Sequence, residues 1–306
     1  MSLSFNPPAP PFFGAALAES AKGFGAAVFA APHGTPYPGI DNTAHEGTGA
    51  ALREALADEP HWAGHWNFDF DGPLLGEHRF RLADVGDLPT TPLDGPRNRG
   101  LIEAATREVL AAGAVPIMLG GDDSVPIPFI AGFSEAGPLT ILQIDAHIDW
   151  REERRGERFG YSSTMRRASE MGHVERIVQV GARGLGSARR EEVETARAWG
   201  ARIVPARELH AQGVEAALRH VPQGARVLVT LDCDGLDPSA NPAVVAPTPG
   251  GLTYAQVIDL LEGVGRRAKL VGFDLIEFVP ARDPTGIGAI TAANIVVNVV
   301  GRLAKP

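Results

Sequence analysis

Seven short runs along the chain are apolar at nearly every position: GAAVFAAP (25–32), AVPIMLGG (114–121), LTILQIDA (139–146), RIVQVGARG (176–184), ARIVPA (201–206), RVLVTLDCD (226–234) and KLVGFDLIEF (269–278). Runs that are apolar on both faces belong to parallel strands covered on both sides. The stretches between them carry a helical period. In 97–112, Leu101, Ile102, Ala105 and Val109 share one helix face, and Gly113 is the expected stop. Residues 188–199, 211–220, a segment from Thr253 as N-cap to about Gly263, and 287–303 read as further helices. The alternation predicts an α/β fold, a three-layer αβα sandwich with a mostly parallel central sheet. It fills one domain over residues 23–306. Residues 1–22, Pro-rich and then Ala-rich, are expected to form an arm over the surface or over a neighbour.

Composition narrows the function classes. The net charge of -9 argues against a nucleic-acid surface, which needs clustered Lys and Arg. The single cysteine, Cys233, allows no disulfide within the chain and reads as a core thiol of a protein from a reducing compartment. No basic leader is seen at the N-terminus, and no apolar stretch of about 18 residues stands out as a membrane span. A cytoplasmic protein is the expectation.

The candidate chemistry lies where strands end. Gly120-Gly121-Asp122-Asp123-Ser124 follows one apolar run, Asp145-Ala146-His147-Ile148-Asp149 another, and Asp232-Cys233-Asp234-Gly235-Leu236-Asp237 a third. In a strand, residues i, i+2 and i+4 share a face, so Asp145, His147 and Asp149 converge if the strand geometry holds into the loop, as do Asp232 and Asp234. Carboxylates crowded in this way require a positive charge among them. Oxygen ligands with one imidazole suit Mn²⁺, Mg²⁺ or a related ion, and the lack of thiolates argues against a structural zinc site. An Asp at a strand end is also a common turn former, and GGDDS taken alone fits that reading equally. The loops 33–48 and 150–163 directly follow strands and are expected at the rim of the site.

The motifs DAHID, LDCDGLDP, PAVVAPTPGGLTY, GFDLIEFVP and, more weakly, GGDDS resemble those of the ureohydrolase family of arginases and agmatinases. The resemblance spans roughly residues 25–300. AAPHGTPYPGIDNTAHEGTGAALREAL is a loose version of the family's first strand, loop and helix, and SSTMRRASE lies closest to the agmatinase branch. The resemblance implies an arginase-like fold, two divalent ions, Mn²⁺ above all, and a homo-oligomer, trimer or hexamer. It implies that Asp145 and Asp232 bridge the ions, that Asp149 completes one site, and that His147 and Asp234 complete the other. Glu277 would pair with a guanidinium, which a carboxylate reads well. Two ions about 3.5–4 Å apart would share a hydroxide that attacks the guanidinium carbon. The implied substrate is a linear guanidino compound such as agmatine. Guanidinobutyrate, guanidinopropionate or another small guanidine remain alternatives. A carboxylate tail would call for a positive rim group, and an amine tail for an acidic one.

Two departures from the family pattern matter. Asp123 stands where relatives use a metal-binding histidine. It can serve as a carboxylate ligand of the first ion, or mark a weakened site in a subunit with a binding or structural role. Second, 158–168 holds no histidine to shuttle protons. Ser162 and Ser163 there are expected to bond substrate or water, or to cap the helix that follows. His33, just after the first strand, is a further candidate for contact with substrate. His45, His61, His65, His78, His173, His210 and His220 have no motif support and read as surface or packing residues. Asp122 is expected to support the ligands from behind, Asp237 to hold its loop, and Trp150 to wall the pocket or anchor its loop. The REERRGER run (151–158) reads as a solvated rim whose arginines could meet a substrate carboxylate.

Overall fold

A computed structural model describes residues 4–40, 42–58, 60–75, 80–186 and 188–305. The strands are β1 (Ala16–Leu17), β2 (Ala26–Ala31), β3 (Trp66–Asn67), β4 (Gly72–Pro73), β5 (Leu82–Asp87), β6 (Val115–Gly120), β7 (Leu139–Ile144), β8 (Val174–Val180), β9 (Arg202–Val204), β10 (Arg226–Asp232) and β11 (Lys269–Ile276). The helices are α1 (Thr48–Glu54), α2 (Gly95–Ala111), α3 (Pro126–Ala131), α4 (Thr164–Ala168), α5 (Arg190–Trp199), α6 (Ala206–Gln212), α7 (Glu215–Leu218), α8 (Tyr254–Arg267) and α9 (Ile287–Ala304). Nine strands form one sheet in the order β1-β5-β2-β6-β11-β10-β7-β8-β9, and β3 and β4 form a separate antiparallel ribbon. Every pairing in the large sheet is parallel. The fold is the α/β sandwich expected from the apolar runs.

The period of two divides each strand between two cores. Val28, Ile117, Leu119, Leu142, Ile144, Val229 and Leu231 join α8 and α9 on one face. Ala27, Phe29, Met118, Ile141, Ile177 and Leu228 join α2, α3 and α4 on the other. Burying both faces explains why these strands lack polar alternation.

The structure adds β5, which the apolar pattern did not predict. Its run LADVGD is interrupted by Asp84, which is fully buried. Arg53 from α1 answers it with Nε at 2.7 Å and Nη2 at 2.9 Å, and the Phe12 backbone N–H donates at 2.7 Å. The arm contributes β1 to the sheet edge beside β5. The helix expected over 211–220 is instead two short ones, because Gly213 takes φ 73 between α6 and α7. The helix from Thr253 runs past Gly263 to Arg267: that glycine is no stop but a contact, since a Cβ there would lie 2.1 Å from Leu218. Helix α9 has the length and hydropathy of a membrane span, with a mean hydropathy of 1.6, which the sequence reading did not single out. Its window is 67% buried against the body of the protein, as a core helix is.

Strand order positions the site. β6, β11, β10 and β7 are neighbours in the sheet, so the loops after Gly120, Ile276, Asp232 and Ile144 leave the same edge side by side. Four segments remote in sequence are thereby brought together at the carboxyl ends of parallel strands, where α/β sheets bind ligands.

Candidate metal centre and active site

Asp145, His147 and Asp234 place ligand atoms within 4.8 Å of one another, and so do Asp123, Asp145 and Asp149. Asp145 belongs to both groups. The His147 Nδ1 lies 3.1 Å from Asp234 Oδ2 and 3.3 Å from Asp145 Oδ1. Asp232 lies outside both close groups but lines the same pocket, and its Oδ1 accepts the Asp234 N–H at 2.7 Å. The loops supply further order. His147 N–H donates to Asp145 Oδ1 at 2.6 Å, and Ala146 N–H donates to Asp234 Oδ1 at 3.1 Å.

Gln143, absent from the motif reading, stands behind this set. Its Nε2 donates to Asp145 Oδ2 at 2.7 Å and to Asp149 Oδ2 at 2.8 Å. Gln179 Nε2 in turn holds Gln143 Oε1 at 2.6 Å. Partners of this kind orient carboxylates for a metal. The signal was present in sequence, since Gln143 shares the strand face of Asp145.

The electrostatics call for cations. Asp123, Asp145, Asp149, Asp232 and Asp234 are all buried. Burial, then neighbouring carboxylates, pushes Asp123, Asp145 and Asp232 well above the usual carboxylate range. Burial also raises Asp149. Burial alone would push Asp234 up, but the hydrogen bond and charge of His147 outweigh it and hold it low. Burial likewise opposes the charged His147 ring, yet Asp145 and Asp234 raise its pKa to about 12. Both Asp123 carboxylate oxygens are buried without a hydrogen-bond partner. An acceptor-only group left bare in this way costs several kcal/mol unless a cation faces it, roughly the penalty of an unpaired buried charge. The residues therefore fit divalent ions, and the bare Asp123 carboxylate fits beside such an ion.

Glu277 follows β11 in a left-handed backbone, φ 61, and Asp149 likewise has φ 45. Backbone strain of this sort clusters at functional sites. Glu277 Oε1 accepts the Asp123 N–H at 2.9 Å, and Oε2 lies 3.0 Å from His45 Nε2. His45, expected on the surface or in packing, is instead a buried residue of the pocket wall. Burial alone would lower its pKa, but the Glu277 charge and hydrogen bond, with Asp122 behind, raise it. The signal that could have found it is its place in the loop after β2, a predicted rim segment. His33, the histidine favoured from sequence, does not line the pocket. It is buried against Thr90 Oγ1 at 3.0 Å and Glu46 Oε1 at 2.9 Å. Ser162 lines the pocket, whereas Ser163 is fully buried behind it, with an unpartnered hydroxyl and no side-chain cap to α4. Asp122 accepts from Ser124 N–H at 3.1 Å and hydroxyl at 2.5 Å, and Trp150 lines the pocket while packed near Trp199. Asp237 holds its own loop through Ser239, Gly250 and Gly251. His78 lies outside the described residues.

The pocket has a volume of about 410 Å³ and includes Asp123, His147, Asp149, Asp232, Asp234 and Glu277 in its wall. A parallel αβα sheet with carboxylates and an imidazole gathered at its strand ends defines a metal-binding hydrolase. The chain belongs to the arginase family, whose sequence profile matches residues 27–301. It is 38% identical over 207 residues to the N(1)-aminopropylagmatine ureohydrolase of Thermus thermophilus, covering 67% of each chain. It is 33% identical over 231 residues to the guanidinopropionase of Pseudomonas aeruginosa, covering 74% of this chain and 72% of that one. The proclavaminate amidino hydrolase of Streptomyces clavuligerus superposes with a TM-score of 0.80 at 27% identity over 96% of both chains. The chain is thus an agmatinase-like hydrolase of guanidino compounds from a binuclear metal family.

Proposed function

We propose that this chain hydrolyses a small linear guanidino compound, agmatine-like in its guanidinium head and unbranched chain, to urea and an amine. The observation that carries the reading is the sharing of Asp145 by two ligand groups that open on the same pocket as Glu277. Asp123, Asp145, Asp149 and Asp232 would hold one ion, and Asp145, His147, Asp232 and Asp234 the other, with Asp145 and Asp232 common to both. Mn²⁺ suits this oxygen-rich set with a single imidazole. When bound, the ions supply the acidity that lets water act as a nucleophile at neutral pH and offset charge at the reacting carbon.

The protein's own groups do the rest. Glu277 receives the guanidinium, and its two oxygens are kept in place by the Asp123 N–H and by His45. Gln143 fixes Asp145 and Asp149 in one orientation. Water adds to the guanidinium carbon, the C–N bond to the alkyl chain breaks, and the amine departs with a proton. His45, in the pocket wall beside Glu277, is the residue placed to supply it, a role that sequence reasoning sought in 158–168. A homo-oligomer, trimer or hexamer, and a cytoplasmic location accompany this proposal.

A urea-release screen over a panel of guanidines, with Mn²⁺, Ni²⁺, Co²⁺ or Zn²⁺ supplied, tests it. Urea from at least one linear guanidine is expected. No urea from any of them, together with no bound divalent ion, would leave only a binding or structural subunit. The bare Asp123 carboxylate argues for the enzyme.

A further inference from the structure

Charge is segregated across the pocket wall. The buried part is acidic: Asp122, Asp123, Asp149, Asp232 and Asp234. The more accessible part carries Arg151, Arg154 and Arg282. Arg151 is engaged, with Nε 3.2 Å from Glu192 Oε1. Arg282 Nη1 is spent on the carbonyls of Val244 and Val245, at 2.9 and 2.8 Å, and steadies that loop. Arg154 differs. It has no carboxylate partner among the described residues, and one N–H is bonded, to the Tyr161 hydroxyl at 2.7 Å.

Arg154 is nonetheless fixed. Its N–H and C=O exchange bonds with those of Glu157 at 3.0 and 3.1 Å, closing a two-residue turn. Arg155 and Gly156 occupy that turn at φ 56 and φ 81, the left-handed pair of a type I′ hairpin. The guanidinium lies 5.1 Å from the centre of the Tyr37 ring and 5.7 Å from that of Tyr161. Tyr37 is itself buried, and its hydroxyl accepts the Ser162 N–H at 3.1 Å. Two aromatic faces and one hydroxyl hold a planar fork with most of its five donors unused. A solvated surface arginine has no such mounting.

A fixed guanidinium with free paired donors matches a carboxylate bidentately, whereas an ammonium at the same place would face a like charge. We propose that Arg154 reads the far end of the substrate, and that the substrate is a guanidino acid whose guanidinium meets Glu277 and whose carboxylate meets Arg154. This rests on the guanidine-hydrolase reading above and selects, within it, the anionic tail over the cationic tail of agmatine.

The test compares kcat/KM of the metal-loaded full chain for 3-guanidinopropionate, 4-guanidinobutyrate, agmatine and 1-butylguanidine. One of the acids should lead agmatine by on the order of 100-fold, as a charge-assisted contact implies. Arg154→Gln should collapse that ratio, mainly through KM. Arg154→Glu should invert it toward agmatine, and Arg154→Lys should recover part of it. A wild-type preference for agmatine or butylguanidine, or an equal loss on every substrate in Arg154→Gln, would overturn the assignment and leave the hydrolase reading intact. Should no guanidine be turned over, the hydrolase reading fails by itself. Calorimetric binding of 4-guanidinobutyrate against 1-butylguanidine then decides the tail: an Arg154-dependent preference for the acid sustains the proposal, and equal or absent binding overturns it.

Discussion

At the scale of the residue, Asp123 is where this chain departs from the motif that the family resemblance implies. It brings a carboxylate where the resemblance implies an imidazole, and both its oxygens are buried without a hydrogen-bond partner, close to Asp145 and Asp149. An aspartate that had merely replaced a lost ligand would be expected to find a donor or the surface. Asp123→Ala should therefore bind about one ion fewer per chain by elemental analysis, and an unchanged content would mean Asp123 is no ligand. Protonation gives a second check. In the metal-free protein, burial and mutual repulsion raise Asp123, Asp145 and Asp232, and the carboxylates around His147 hold it up to about 12. These groups bind protons more tightly folded than unfolded. Their stabilisation is full at low pH and is lost as pH rises from the unfolded values of about 3.9 and 6.5 toward the folded ones. Asp234, held low by His147, works in the opposite sense, and its contribution is lost only in acid. The Tm of metal-free protein should accordingly fall between pH 5 and 9, and Mn²⁺ should flatten that slope. A Tm that rises with pH in the absence of metal would contradict the charge balance described.

At the scale of the element, the turn after β10 is set by a glycine. A Cβ on Gly235 would lie 2.8 Å from the Asp145 N and 2.9 Å from the Ile144 C and O. These are backbone atoms of the strand end that carries the shared ligand, so neither side can yield without moving the site. Gly235→Ala should lower stability by about 1–3 kcal/mol, the usual cost of overpacking. It should also weaken metal binding, with denaturation and metal titration as the readouts. A loss of stability with metal affinity intact would show the two strand ends to be independent. The elements that sequence reasoning found are those whose apolar runs are unbroken. It missed β5 because Asp84 interrupts the run, and no local pattern reveals that Arg53 will neutralise it. It ended α8 near Gly263, whereas that glycine lies inside the helix and admits Leu218.

At the scale of the whole molecule, the site depends on strand order. The ligand motifs were legible as motifs, although the strand period they were read from stops short of them: β7 ends at Ile144, Asp149 takes φ 45, and Asp234 lies in a 3-10 turn after β10. Which other residues join them was not legible, because β6, β11, β10 and β7 become neighbours only through the crossovers. His45 shows the consequence. It meets Glu277 across 232 positions of sequence, whereas His33, nearer the strand end, is turned toward Thr90 and Glu46. If His45 delivers the proton to the leaving amine, His45→Ala should lower kcat by about 10²–10⁴-fold, the usual span of general acid catalysis, with the alkaline limb of the pH–rate profile altered. A loss confined to KM would make it a positioning residue for Glu277 alone.

The central claim is that two metal sites share carboxylates, Asp145 foremost among them. Elemental analysis of divalent ions per chain, on wild type and Asp145→Ala after loading and desalting, tests it most directly. Two ions per chain in the wild type and loss of both in Asp145→Ala are expected, since that carboxylate belongs to both ligand groups. A single ion in the wild type, or one ion retained in full by Asp145→Ala, would contradict it.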